Sequence, residues 1–168
     1  MYIQSFVALL AATAVSAAPA IKVARADGQF ELQQLNTHTP SGRPGNSPYS
    51  LLNATIQGTE GDSTSTAHCN LQYLSDDDAP WGVELPCTTD EGSEDTWAFT
   101  LERPEGEDGD ASTNFDLSFK WTTSAKTYTG GDHFQVGDNL SGQCGGSGVC
   151  SWGLKSSPYA VDYTPSEA

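Results

Sequence analysis

Apolar and polar residues alternate along most of this chain, in short runs separated by turn-forming residues. The clearest run spans residues 115–121, where every second residue is Phe, Leu or Trp and those between are Asp, Ser and Lys. Similar runs occur at 29–35, 49–57, 67–74, 81–87, 96–102, 133–136, 150–154 and 159–163. Alternation of this kind predicts strands that are buried on one face. No stretch of ten or more residues has the apolar spacing of a helix.

The predicted fold class is all-β, a single small antiparallel β-barrel or sandwich stabilised by two disulfides. Both architectures bury one face of each strand, so the pattern leaves the choice between them open. Segments rich in Gly, Pro, Asp and Ser are predicted to be loops or turns. They are residues 38–48, 58–66, 76–80, 88–95 and 104–112.

The amino-terminal residues predict export. An apolar run at 6–15 ends in small residues, which is typical of a secretory signal peptide cleaved after Ala17, although no Lys or Arg precedes it. The run is shorter than the ~20 residues that a membrane-spanning helix needs. We therefore divide the chain into a signal peptide (1–17), an N-terminal tail (18–28), a β-barrel or sandwich domain (29–163) and a C-terminal tail (164–168). The expected location is extracellular.

Charge excludes two classes of partner. The leader has no charged side chain, so the mature chain keeps all 7 basic and 22 acidic residues and the net charge of −15. Nucleic acids and anionic membranes attract proteins through Lys and Arg, so neither partner is expected. The negative charge favours solubility and can steer the protein toward a basic partner.

The four cysteines form an even set, which predicts two disulfides in an exported chain. Three pairings are possible. Five small residues separate Cys144 from Cys150, a spacing that suits a bridge across a tight turn, and Cys69 then pairs with Cys87. A zinc site is the competing interpretation, but the chain has no C-x-x-C pair.

No catalytic motif is recognisable. Acidic clusters at 76–78, 90–95 and 105–110 would suit calcium or paired-acid hydrolysis, but they lack the spacing of a calcium loop and are typical of solvated turns. The histidines are His38, His68 and His133, and no nucleophile motif accompanies them. We expect no enzymatic activity, no cofactor and no metal.

Two further sets of residues are candidates for binding or modification. Trp97 and Trp121 belong either to the core or to a ligand pocket. Trp81 and Trp152, near the predicted disulfides, either pack on those bridges or form an exposed contact patch. Asn53 and Asn139 each begin an N-x-[ST] sequon and are candidate glycosylation sites.

The order of these features resembles the fungal secreted β-barrel family typified by the Alternaria major allergen. The resemblance covers residues 29–163 and rests on the strand start at 49–51, Cys69, Trp81 ahead of Cys87, the aromatic strand at 97–101, Tyr128 and the Gly-rich hairpin at 144–150. It implies bridges between sequential cysteines and no established enzymatic activity. Members are viewed as allergens, elicitors or candidate effectors that meet host defence proteins or small ligands.

The chain departs from that family in two ways. Its last two cysteines are closer together, and it has no additional N-terminal cysteine, so a covalent dimer is not supported. The expected function is that of a secreted, allergen-like fungal effector or elicitor that binds host extracellular components without catalysis. The alternative is a carrier for a small ligand or carbohydrate with an aromatic-lined pocket. A small secreted hydrolase would require two facing carboxylates about 5–9.5 Å apart.

Overall fold

The computed structural model describes residues 28–91 and 93–167, and these residues are all-β. The predicted signal peptide and residues 18–27 of the predicted tail lie outside them. The described residues form eleven strands: β1 (Gln29–Thr39), β2 (Tyr49–Glu60), β3 (Ser63–Leu74), β4 (Glu84–Pro86), β5 (Thr88–Thr89), β6 (Thr96–Glu102), β7 (Asn114–Thr122), β8 (Lys126–Gln135), β9 (Leu140–Cys144), β10 (Cys150–Leu154) and β11 (Tyr159–Glu167).

The strands form one antiparallel sheet that is nearly closed into a barrel. Its main order is β6-β7-β8-β11-β1-β2-β3, which leaves β6 and β3 as the two edges. The short segment that contains β4 and β5 joins these edges, because β4 pairs with β6 and β5 pairs with β3. Because this segment pairs with both edges, the fold is a nearly closed barrel and not a sandwich.

Both predicted disulfides are confirmed. Cys87 lies between β4 and β5, where its N–H donates to the carbonyl of Trp97 at 2.9 Å, and its sulfur bonds to Cys69 on β3. This bridge crosses the join between the two sheet edges. The other bridge links Cys144 and Cys150, which lie directly opposite each other in the β9–β10 hairpin.

Strand β1 pairs with β2 on one side and with two different strands, β11 and β10, on the other. Its first half pairs with β11 and its second half pairs with β10, so the β9–β10 hairpin extends the sheet beside the barrel.

The side chain of Asn139, in the turn after β8, forms two hydrogen bonds with the backbone at the C-terminal end of that strand. Its Oδ1 accepts from the N–H of Gln135 at 2.9 Å, and its Nδ2 donates to the carbonyl of His133 at 2.7 Å.

Inward-facing side chains fill the barrel. Trp97 and Trp121 stack at 5.3 Å between ring centroids, and Gly58 lies against them on β2. A Cβ at Gly58 would be 2.6 Å from Cε3 of Trp121, so only glycine fits there. The largest fully buried apolar side chains besides Trp121 are Phe30, Phe99, Phe115, Phe119, Phe134, Leu32, Leu35, Leu52, Ile56, Leu101 and Leu117.

The turn predicted at 58–66 is wrong for most of its length. Strands β2 and β3 pair in unbroken register from Tyr49↔Leu74 to Glu60↔Ser63, leaving a two-residue turn at Gly61 and Asp62. The sequence predicts Gly58 to be part of a turn, but in the structure it makes room for the Trp121 ring. Glycine occurs both in turns that need unusual backbone angles and at positions where another group packs closely against the backbone. The sequence alone does not distinguish these two reasons.

Other element boundaries also differ from the prediction. Residues 164–167 were assigned to a tail, but β11 continues to Glu167 and pairs with β8. The predicted strand at 133–136 corresponds to the end of the longer strand β8. Of the strand predicted at 81–87, the three residues of β4 are in a strand. Strands β5 and β9 were not predicted, because β5 has two residues and four of the five residues of β9 are exposed.

The residues that the structure describes include no helix long and apolar enough to cross a membrane.

Candidate functional site

An open cleft of about 200 Å³ lies at one end of the barrel, which we call the cleft end. The ends of β1, β2 and β3 form its floor and two loops form its sides. Its lining residues are Thr39, Ser50, Tyr73, Ser75, Asp77, Asp78, Ala79, Trp81, Arg103, Gly109, Asp110, Ala111 and Ser112.

The fold brings two acidic loops together around this cleft. One loop follows β3 and contains Asp76–Asp78, and the other follows β6 and contains four carboxylates between 105 and 110. Asp77 and Asp78 from the first loop and Asp110 from the second face the same space. The sequence predicted these clusters only as separate solvated turns.

Asp110 is the most constrained carboxylate in the cleft. Its Oδ1 accepts from the backbone N–H and hydroxyl of Ser112, at 2.9 and 2.6 Å, and from the same groups of Thr113, at 3.0 and 3.1 Å. Burial raises the pKa of Asp110, but these four hydrogen bonds outweigh it and the net pKa is lowered. The group is therefore a fixed negative charge. No other described residue donates a hydrogen bond to its Oδ2.

Tyr73 provides a neutral hydroxyl in the same cleft. Burial raises the pKa of its phenol, a hydrogen bond with the Ser50 hydroxyl lowers it, and the negative charge of Asp110 raises it further. The pKa is raised on balance, so the phenol stays protonated and can donate. Ser50 is itself buried on the neighbouring strand, directly opposite Tyr73.

Arg103 and Trp81 form the rim. The guanidinium lies 4.7 Å from the centroid of the Trp81 ring, a cation–π contact. Its Nη1 donates to the carbonyl of Asp108 at 2.6 Å and its Nη2 lies 3.4 Å from a carboxylate oxygen of Asp78. Arg103 thus connects the two acidic loops, and it is the only Lys or Arg among the lining residues of the cleft.

The four tryptophans that the sequence proposed for a pocket or contact patch lie in different places. Trp81 lines the cleft. Trp97 and Trp121 are 3% and 1% exposed, and they donate to Ser65 and to Asp95, each at 3.0 Å. Trp152 lies opposite Thr37, and its Nε1 is buried with no hydrogen-bond partner among the described residues.

The three histidines lie outside the cleft. Nδ1 of His133 is 2.7 Å from Asp116 on the outer face of β7 and β8, Nε2 of His68 is 3.4 Å from Asp90, and His38 contacts Ser151. Within residues 28–91 and 93–167, no group of three His, Cys, Asp or Glu side chains could hold a metal ion.

The two sequons also have different surroundings. Asn53 lies in the middle of β2 on the outer face of the sheet and is half-buried. Nδ2 of Asn139, the atom that would carry a glycan, donates to the carbonyl of His133 at 2.7 Å and lies 3.4 Å from the Tyr159 hydroxyl. Glycosylation at either position stays a prediction.

The sequence pattern did not indicate Tyr73, Arg103 or Ser112 as site residues, and it placed Asp110 in an acidic cluster that is typical of a solvated turn. A local signal existed for one of them, because the order Asp-x-Ser-Thr at 110–113 is typical of a turn in which the aspartate accepts from the following residues. Nothing in the local pattern indicates that Asp110 faces Tyr73. That proximity results from the closure of the barrel.

Comparison with known proteins gives no match to a family model, to a curated protein or to a solved structure. The resemblance to the Alternaria allergen family therefore stays a prediction.

Proposed function

We propose that this chain is a secreted, fungal effector- or elicitor-like protein that acts by binding a basic host extracellular protein at the cleft end, without catalysis. The observation that carries the proposal is the convergence of two acidic loops on one small cleft. Residues 76–78 and 105–110 contain seven carboxylates, and the cleft lining contains one guanidinium. A partner with a basic surface would provide the positive charge that complements these carboxylates.

The size of the cleft favours a side chain of a protein partner over a free small molecule. Small-ligand pockets usually have volumes of roughly 300–1,000 Å³, and this cleft has about 200 Å³. A lysine or arginine side chain of the partner would enter it. The alternative is a carrier with an aromatic-lined pocket. Trp97 and Trp121 fill the interior by packing against each other, so the space open to such a ligand is a surface pocket of about 450 Å³ beside Tyr128 and Tyr163.

The residues of the cleft suit recognition of a cation. Asp110 is held in place before binding, so little ordering is needed when an ammonium or guanidinium group approaches its free Oδ2. The phenol of Tyr73 stays a hydrogen-bond donor or acceptor beside it. The net charge of −15 would accelerate encounter with a basic partner, and this effect weakens as salt concentration rises.

The extracellular location is supported by the predicted signal peptide together with the disulfides. Two disulfides and no free cysteine among the described residues are typical of a chain that folds in an oxidising compartment. The fungal origin, allergen-like character and glycosylation are further parts of the same proposal.

The test is a comparison of three forms of the mature, oxidised protein as baits in plant apoplastic fluid, with mass spectrometry of the retained proteins. The forms are wild type, Asp110→Asn and Asp138→Asn, all made in a host that does not glycosylate, because the change at 110 creates an N-x-S sequon with Ser112. Both variants remove one negative charge, but Asp138 lies in an exposed turn outside the lining of the cleft. We expect a basic host protein to be retained by wild type and by Asp138→Asn, and to be reduced about tenfold with Asp110→Asn.

Equal retention by all three forms would contradict recognition at the cleft and indicate general attraction to an acidic surface. Retention of no host protein by the oxidised wild type, while small molecules co-purify with it, would favour the carrier instead. Reduced and unfolded protein serves as the control for binding that does not need the fold.

A further inference from the structure

The outer face of the sheet bears two rows of uncharged side chains across five strands. The first row runs from β3 to β9 and consists of Asn70, Asn53, Asn36, Gly153 and Ser141, each directly opposite the next. Three asparagines are thus adjacent on three neighbouring strands. Their side chains make no hydrogen bond with another described residue, so their amide groups are available to a ligand.

The second row lies beside the first and has the same character. It consists of Gln72, Leu51, His38, Ser151 and Gln143, again on β3, β2, β1, β10 and β9. We call these two rows together the amide face. Five strands at the usual spacing make it about 19 Å wide.

The amide face differs in charge from the opposite side of the barrel. Neither row contains Asp, Glu, Lys or Arg, although the chain has 22 acidic and 7 basic residues. On the opposite side of the barrel, the outer faces of β6 and β7 bear Glu102, Asp116 and Lys120. Charge is therefore segregated away from the amide face.

An exposed apolar pair borders the amide face at the cleft end. Tyr49 and Leu74 lie directly opposite each other on β2 and β3 and are 39% and 42% exposed. They have the same strand parity as Leu51 and Gln72, so they point to the same side of the sheet. A flat apolar ring thus lies next to a surface of amides and hydroxyls.

We propose that the amide face binds an uncharged polysaccharide chain. Sugar rings present hydroxyl groups at their edges and C–H groups on their faces. Asparagine and glutamine amides both donate and accept, which matches hydroxyls, and the exposed face of Tyr49 matches the C–H groups. An anionic polymer would be repelled by the net charge of −15. This surface does not include the lining of the cleft, so the inference is independent of the binding site proposed there, but it requires that Asn53 carry no glycan.

The experiment measures the fraction of the mature, oxidised protein that sediments with insoluble cellulose and with insoluble β-1,3-glucan. The protein is made in a host that does not glycosylate it. We expect binding to at least one of these neutral polymers, unchanged between low and high salt. Asn70→Asp places a carboxylate at an exposed position of the first row and should lower the bound fraction about tenfold, because an unpaired charge would be covered by the polymer. Tyr49→Ala should lower it about fivefold.

Gln135→Glu is the matched control, because it makes the same amide-to-carboxylate change on β8, away from the amide face. It should bind as wild type does, and thermal unfolding checks that every variant is folded. Binding to neither polymer would overturn the proposal, as would equal loss in Asn70→Asp and Gln135→Glu. Protein secreted by a eukaryotic host forms the second arm. If a glycan on Asn53 abolishes sedimentation there, the face is covered by the protein's own glycan and the proposal fails for the native form.

Discussion

At one end of the barrel Trp121 stacks between Trp97 and Tyr128 and is 1% exposed, whereas at the other end Trp81 lies at the rim of the cleft beside Arg103. We call the first the aromatic end. Each end combines a tryptophan with a tyrosine and an acid, yet Trp121 is fully buried at the aromatic end, whereas Trp81 is half-buried and lines an open cleft. Composition alone therefore does not separate a structural cluster from a binding site, but burial does.

Replacing the tryptophan at each end should give the largest difference between them. Trp121→Ala removes a fully buried ring and should lower the free energy of unfolding by about 3–5 kcal/mol. Trp81 is half-buried and packs against the core beside its cation–π contact with Arg103, so Trp81→Ala should cost less, about 1–3 kcal/mol. Urea unfolding measures both. Similar losses at the two positions would contradict the assignment of Trp81 to an open rim.

The two disulfides should also contribute unequally. In the chain-entropy model, removing Cys69–Cys87, with a sequence separation of 18, costs about 3 kcal/mol, and removing Cys144–Cys150, with a separation of 6, costs about 2 kcal/mol. The first pair also joins the sheet edges, and Cys69 is fully buried. Double alanine variants and denaturant unfolding test this order. A larger loss from the hairpin pair would show that the barrel does not need the first bridge for closure.

A single methyl group tests the packing of the aromatic end. Gly58→Ala places a Cβ against Trp121 and should cost about 1–3 kcal/mol, because overpacking shifts rings that have no space to move. Gly146→Ala is the matched control, since a Cβ there meets nothing within 4 Å. We expect that control to change stability by less than about 0.5 kcal/mol. Thermal or urea unfolding distinguishes them, and equal stability would disprove the contact.

High pH should weaken the aromatic end. Burial raises the pKa of Tyr128 above its usual 10.0, and its hydrogen bond to Glu60, at 2.5 Å, raises it further. A raised pKa in the folded state gives stability that is present below the unfolded value and is lost above it. As the pH rises above 10.0, wild type should therefore lose stability more steeply than Tyr128→Phe. Parallel curves would contradict the burial of this phenol.

Low pH should weaken the cleft end by a smaller amount. The pKa of Asp110 is lowered below its usual 3.8, so its contribution is present above that value and is lost as pH falls through the folded-state pKa. The stability difference between wild type and Asp110→Asn should shrink over that range. Ser112→Ala, which removes the 2.6 Å hydrogen bond, should reduce the acid dependence. An unchanged difference down to the lowest pH would contradict the role of these hydrogen bonds.

Part of this structure was predictable because its signals are local. The run at 115–121 lies within β7, since alternating apolar residues are buried on one face of a strand. The pairing of Cys144 with Cys150 followed from the short small-residue segment between them. In contrast, Gly58 was misinterpreted because its partner, the Trp121 ring, is more than sixty residues away in sequence. The cleft was missed for the same reason, because Asp110 and Tyr73 meet only across strands.

By itself, the sequence determined the all-β class, the faces of most strands and both disulfides, because periodicity and cysteine spacing act over a few residues. Only the tertiary structure decided that β4 and β5 join the sheet edges into a barrel, that two distant acidic loops surround one cleft, and that Trp81 is half-buried at the rim whereas Trp121 is fully buried. The physical reason is that alternation specifies which side of a strand is buried, but not which strands pair. The pairing of strands places the loops and the amide face.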